Sequence, residues 1–177
     1  GFAIWFGLPP FIAATLAVAA TAVASGAFHE DGLADTADGF GGAYARDEKL
    51  AIMRDSRHGS FGVLAIVASF LLRIGALAAI ADPGFVFAAL VTAHAVSRAT
   101  MPAVMRWCAA ARRDGQGFDA GKTPSMAVWT ALAIAGAIAL VGLGWAAFPA
   151  LLATAIVAGI AVAIAQRQIG GYTGDVL

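Results

Sequence analysis

An all-α, polytopic membrane bundle of about five spans is the fold this sequence predicts, and three observations carry that prediction. Of 177 residues, 60% are hydrophobic and only 12% are charged, against roughly 25% charged in a soluble domain. The mean hydropathy is +0.82. Apolar runs recur at the ~20-residue length that a helix needs to cross a bilayer.

Taken in order, residues 1–6 read as the tail of an earlier helix, with Gly7-Leu-Pro-Pro10 as the following turn. Five spans follow at 8–28, 60–81, 85–107, 125–147 and 150–165. Asp82-Pro83-Gly84 and the residues around Pro149 make tight turns between spans, while 29–59 and 108–124 are long and polar. Within the first long loop, Leu50 and Met53 share one face of a short amphipathic helix. Gly1 is not an initiator Met and the sequence breaks off at Leu177. The chain therefore reads as a single membrane domain, a fragment lacking both termini.

Charge sets the expected orientation. Eleven basic residues balance eleven acidic ones, which leaves no nucleic-acid signature. Arg46, Lys49, Arg54 and Arg57 lie in the first long loop, Arg106, Arg112, Arg113 and Lys122 in or beside the second, and Arg167 after the last span. Five crossings put all three regions on one side, and positive residues favour the cytoplasm. The active face is expected to be cytoplasmic, in a bacterial inner membrane. The single cysteine, Cys108, excludes an internal disulfide and reads as a small hydrophobe.

The chemistry is concentrated where the first apolar run stops, in His29-Glu-Asp-Gly-Leu-Ala-Asp-Thr-Ala-Asp-Gly39. On a helix turning about 100° per residue, Asp31, Asp35 and Asp38 fall within a ~60° arc. Like charges on one face repel, so the arrangement makes sense with a cation against it. Mg²⁺, which takes hard oxygen ligands and commonly bridges carboxylates to phosphates, is the natural candidate. Dipole stabilisation of a helix start accounts for Asp31 but not for Asp38 two turns on. Glu30 points off this face, and His29 reads as an interfacial cap. Arg54, Asp55 and Arg57 cluster before the next span, the arginines suited to phosphate oxygens. Arg98, one turn from His94, is a candidate anion contact inside a span, where an ionised side chain rarely stands without a partner. Arg73 reads as structural, and His94 as a buried packing residue. Gly170-Gly-Tyr-Thr-Gly-Asp175 reads as a helix C-cap and turn that adds Asp175 to the polar layer.

Three motifs in order resemble the cobalamin synthase family, the adenosylcobinamide-GDP ribazoletransferases. They are the acidic run above, then Ile52-Met-Arg-Asp-Ser-Arg57 with Gly59-Ser-Phe-Gly62, then Gly170-Gly-Tyr-Thr-Gly-Asp-Val-Leu177. The resemblance covers essentially the whole chain. It implies a membrane enzyme that joins adenosylcobinamide-GDP to α-ribazole, or its 5′-phosphate, and releases GMP, with Mg²⁺ as cofactor. Asp31, Asp35 and Asp38 would hold the metal. Arg54, Arg57, Arg98, Thr173 and Gly174 would bind substrate phosphate, and Asp35, Asp55 and Asp175 would be catalytic, with Asp55 or Asp175 helping to deprotonate the attacking hydroxyl. A smaller or aliphatic residue is expected where His58 stands, and its role is open.

The partners implied are the two substrates and the lipid bilayer, with no nucleic acid; a homo-oligomer or a complex with other cobalamin-assembly enzymes is left open. Two other readings compete. A membrane phosphotransferase of the CDP-alcohol type would carry an Ala-Arg pair after Asp-Gly, which is absent here. A transporter would place charges deep in several spans with broken helices at midplane.

Overall fold

The computed structural model describes residues 7–177, with side chains at all of these except Gln116 and Gly117. The helical tail expected at 1–6 lies outside the described residues. Eight α-helices are seen among them: α1 (Pro10–Ala24), α2 (Phe28–Gly42), α3 (Arg46–Ile52), α4 (Ser60–Ile80), α5 (Pro83–Trp107), the short α6 (Gln116–Asp119), α7 (Ser125–Leu143) and α8 (Ala147–Ile169). A 3-10 turn, Gly144–Ala146, separates the last two. The chain divides into two compact units, one up to Phe87 and the other from Ala88 onward.

The first unit departs from its expected outline at its first span. Pro10 opens α1 at a position where its missing N–H costs nothing, but the helix stops at Ala24 and not at residue 28. Gly26 and Ala27 both take left-handed backbone, with φ of 65° and 57°. The Ala27 N–H returns to the Ala22 carbonyl at 2.7 Å, closing the helix end in the manner of a Schellman turn. The chain then bends by 88° into α2. Fifteen residues of α1 span only ~22 Å, less than the ~30 Å hydrocarbon layer.

By length and composition, three helical stretches are apolar and long enough to cross a membrane: Ser60–Ile80, Pro83–Trp107 and Ser125–Ile169, with the bent pair α1 and α2 a fourth if taken as one broken span. The expected total of five takes the α1 region as a span of its own and α7 and α8 as two. A straight helix of the 45 residues in Ser125–Ile169 would be ~68 Å long, about twice the hydrocarbon layer. Gly144, at φ 55° and ψ −131°, breaks it in a conformation side chains rarely adopt. The exposed apolar surface fits lipid as the surrounding medium: Val141 is 89% exposed and Leu72 is 74% exposed.

Small residues set the packing of the first unit. Ala14, Val18 and Ala22, spaced by four, form the buried stripe of α1. α2 lies along α4 with Ala34 fully buried between the helices' neighbours, and a methyl group at Gly41 would enter the ring of Phe61. Leu50 and Met53 are buried as the amphipathic reading of α3 expects. In the second unit, Val96 and Ala99 of α5 pack with Ala135, Ala139 and Ala147.

One ion pair ties the start of α2 to the middle of α4. Arg73 Nη2 donates to Glu30 Oε1 at 2.9 Å, and the Arg73 guanidinium lies 4.8 Å from the centroid of Phe70. Arg73 is thus structural, as expected, and Glu30 is its buried partner. Removing one member of a buried pair strands the other charge, which costs about 3–5 kcal/mol when both are fully buried. With Arg73 39% exposed, Arg73→Met should cost less, about 1–3 kcal/mol. The double variant Glu30→Gln/Arg73→Met should be more stable than Arg73→Met alone. Unfolding in detergent micelles measures both, and equal stabilities would contradict the pairing.

Candidate functional site

Four carboxylates project from α2, and the fold divides them into two kinds. Glu30 and Asp38 are buried; Asp31 and Asp35 are not. The buried pair holds α2 against α4 at two places, Glu30 through Arg73 and Asp38 at the start of α4.

Asp38 accepts a hydrogen bond on each oxygen, from the Gly59 N–H at 2.6 Å and from the Gly62 N–H at 2.8 Å. It therefore satisfies backbone donors that the first turn of any helix leaves without partners, from a residue distant in sequence. The negative charge also suits the positive end of the α4 dipole. A Cβ at Gly59 would stand 2.6 Å from an Asp38 oxygen, and one at Gly62 would meet both that carboxylate and the Ala34 carbonyl. The glycines of Gly59-Ser-Phe-Gly62 are thus required by the approach of Asp38. Of the three carboxylates expected at the metal, the structure brings Asp31 and Asp35 together and turns Asp38 to the start of α4. All three share an arc of α2, but docking of α4 draws Asp38 inward.

The partner that does join Asp31 and Asp35 is His58. Its Nε2 lies 3.7 Å from an Asp31 oxygen and its Nδ1 lies 3.8 Å from an Asp35 oxygen. One ligand atom from each of the three residues falls within 4.8 Å of the other two. The Asp31 side chain is 64% exposed, His58 38% and Asp35 15%, so the cluster opens to the surface while Asp35 forms its floor. Two carboxylates one helical turn apart concentrate negative potential, and the donor set suits a divalent cation. Sequence reading left His58 without a role. Its separation of 23 residues from Asp35 hides the contact, and the only signal was its departure from the expected residue type.

Immediately before His58, Asp55 and Arg57 lock together. Arg57 Nη2 and Nε donate to Asp55 at 2.6 and 3.0 Å, and the Arg57 backbone N–H adds a third bond at 3.0 Å. These bonds favour the ionised carboxylate and lower the Asp55 pKa to about 2. A carboxylate so acidic is a weak proton acceptor at neutral pH, which weighs against Asp55 as the base. Its contacts instead set the orientation of the exposed Arg57 guanidinium. Arg54, on the same loop, is also exposed.

The remaining candidates lie in the second unit. Gly170, at φ 76°, ends α8, and the chain then pairs with the loop after α5: Ala111 N–H to Tyr172 O at 2.8 Å and Tyr172 N–H to Ala109 O at 3.0 Å. No side chain fits at Gly171, because a Cβ there would meet Ala109 and Ala111 backbone. Burial raises the Tyr172 pKa. Thr173 is 2% exposed and donates its hydroxyl to Asp175 at 3.1 Å. The same Asp175 oxygen lies 3.6 Å from Arg112 Nη2, and Arg112 Nε is 3.8 Å from Asp114. By sequence Arg112 is a positive loop residue, and its place beside Asp175 is hidden by their distance along the chain. Gly174 is half-buried. Arg98 is exposed, with Nη1 2.8 Å from Nδ1 of His94.

The family model for cobalamin-5-phosphate synthase matches residues 1–177. An adenosylcobinamide-GDP ribazoletransferase of Bradyrhizobium diazoefficiens is 49% identical over 172 residues, covering 97% of this chain and 66% of that protein. Those of Mesorhizobium japonicum and Rhizobium etli are 44% and 38% identical, covering 97% and 95% of this chain and 66% and 68% of theirs. The chain spans about two thirds of the length of these curated relatives. No solved structure matches it.

Two outcomes follow from the geometry of the first unit. Asp38→Asn and Gly62→Ala should each lower stability by about 1–3 kcal/mol, whereas Asp31→Asn, at an exposed side chain, should change it by no more than about 0.5 kcal/mol. Thermal unfolding in chelator-treated micelles separates the two classes, and equal losses would deny Asp38 its special place. The Asp55 pKa is depressed, so the stabilisation from its pair with Arg57 is full above the ordinary value of 3.8 and is lost as pH falls through about 2. Arg57→Met should return Asp55 toward 3.8, read from the carboxyl carbon in an NMR titration.

Proposed function

Because the chain belongs to the cobalamin-5-phosphate synthase family, we propose that it carries the catalytic face of a membrane transferase that joins adenosylcobinamide-GDP to α-ribazole or its 5′-phosphate. The observation that carries this reading is the gathering of Asp31, Asp35 and His58 on a helix whose other two carboxylates are buried in tethers. A ribose hydroxyl of the ribazole attacks the phosphorus nearer the corrinoid. A new P–O bond forms, the bond to GMP breaks, and the hydroxyl proton is lost to solvent or a carboxylate.

Such a reaction asks chiefly for positioning and for neutralisation of charge on the diphosphate and the departing GMP. Asp31 and Asp35 would hold Mg²⁺, which when bound supplies positive charge to the diphosphate oxygens. Arg57, oriented by Asp55, presents a guanidinium suited to bidentate contact with phosphate. The clamp by Arg57 that makes Asp55 so acidic leaves it poorly suited to accept the hydroxyl proton. The basic residues around Asp31 and Asp35, among them Arg54 and Arg57, support a cytoplasmic orientation in a bacterial inner membrane.

The test is GMP release from adenosylcobinamide-GDP and α-ribazole by the protein in membranes, followed by chromatography. Asp35→Asn should lower the rate by about 10²–10³-fold, the loss typical of removing one electrostatic stabiliser. Chelation should abolish turnover and added Mg²⁺ should restore it. Near-normal release by Asp35→Asn would remove the cation site from the mechanism.

A further inference from the structure

We infer that the cavity between α5 and α8 in the second unit binds the aromatic base of the acceptor nucleoside, with the apolar edge of a benzimidazole inserted and the sugar left at the polar end. This deepens, and rests on, the reading of the chain as a ribazole transferase, and it uses none of the cation-site residues.

The walls of the cavity limit what can enter. Its volume is about 440 Å³, and its helical walls are residues 97–104 of α5 and 153–162 of α8. Small-molecule sites usually fall within roughly 300–1,000 Å³. At about 1.5 Å per residue these stretches run ~10–14 Å, enough for a bicyclic base and part of its sugar. Met101, Val104, Val157 and Ala161 give the lining its aliphatic character. The three hydroxyls on it are already committed to their own helices. Ser97 donates to the His94 carbonyl at 3.3 Å, Thr100 to the Ser97 carbonyl at 2.6 Å and Thr154 to the Ala150 carbonyl at 2.9 Å. A hydroxyl has one proton to give, so this lining can accept a hydrogen bond but has none to donate.

Such walls select among bases. The benzo edge of a dimethylbenzimidazole presents only C–H and methyl groups, which need no partner there. A purine would bring ring nitrogens that accept hydrogen bonds and find no donor, which is costly once they are buried. Position supplies the orientation. Val176 and Leu177 complete the lining, directly after Asp175, whose side chain is 23% exposed, accepts from the Thr173 hydroxyl and stands beside Arg112. A narrower cleft shares Val104, Val162 and Val176 with the cavity and reaches Cys108 and Tyr172. One short segment thus carries an apolar wall and a polar cluster in succession, the order that a nucleoside with an apolar base requires. The carboxylate of Asp175 suits the hydroxyl donors of a ribose. A phospholipid would bring phosphate to the same place, where a carboxylate repels it.

An α-ribazole carrying an azide on its benzo ring is the probe, photolysed with the unsubstituted protein in membranes and located by mass spectrometry of the peptides. Label should fall within residues 97–104 or 153–162. Unmodified α-ribazole should displace it at least about tenfold better than the corresponding adenine riboside. Ala158→Phe and Ala161→Phe, which fill the cavity, should raise the KM for α-ribazole at least about tenfold and leave the KM for adenosylcobinamide-GDP unchanged. Label outside both stretches, equal displacement by the adenine riboside, or an unchanged α-ribazole KM in both folded variants overturns this inference while GMP release keeps the transferase reading standing. A photoreactive phospholipid that labels the two stretches and is not displaced by α-ribazole assigns the cavity to lipid and also overturns it. Absence of GMP release from the unsubstituted protein overturns the transferase reading and this inference with it. The labelling needs no substitution, so it decides the question even where a filled cavity prevents folding.

Discussion

The first unit depends on one contact, the Asp38 carboxylate against the first turn of α4. Helix starts leave backbone N–H groups without partners, and in an apolar setting each such group is costly to bury. Asp38 meets two of them at once, at Gly59 and Gly62. Because those residues lack side chains, the carboxylate reaches the backbone directly. Two further placements follow. Phe61, between the glycines, lies over the space left by Gly41, and His58, just ahead of them, is carried back along α2 to Asp31 and Asp35. A helix cap and a candidate metal site are thus consequences of the same close approach.

The opposite end of α2 is held by the same kind of interaction with a different donor. Glu30 reaches the Arg73 guanidinium partway along α4, so the two helices run antiparallel with a charged tether near each end. Fastening at two points fixes rotation about the helix axis as well as position. That matters because a helix turns about 100° per residue. Asp31, one residue from Glu30, faces outward only while Glu30 faces inward. The 88° bend between α1 and α2 lets an apolar helix lead into this polar one without continuing in the same direction.

Much of this was legible in the sequence, and the part that was not has a common cause. The apolar runs located α4 and α5 to within a few residues, because burial in lipid needs only composition and length. The short amphipathic helix over Leu50 and Met53 was equally plain. The early end of α1 was not, since Ala27 in left-handed backbone has no sequence signature of its own. Periodicity placed Asp31, Asp35 and Asp38 on one arc but could not separate them. What distinguishes Asp38 is the arrival of residues more than twenty positions later. The same holds for His58 beside Asp31 and for Arg112 beside Asp175. Helical arithmetic describes one element at a time, whereas these roles are assigned by pairs of elements.

The division of labour among the carboxylates also bears on why the acidic motif contains more of them than a cation needs. Four acids on one helix would repel one another if all were exposed to the same medium. Here Glu30 is neutralised by a guanidinium and Asp38 by helix-end amides, while Asp31 and Asp35 have His58 between them. The tethers lower the electrostatic cost of the motif and aim its remaining charge. On this view Asp38 serves the chemistry at a distance, by fixing the chain on which His58 is carried.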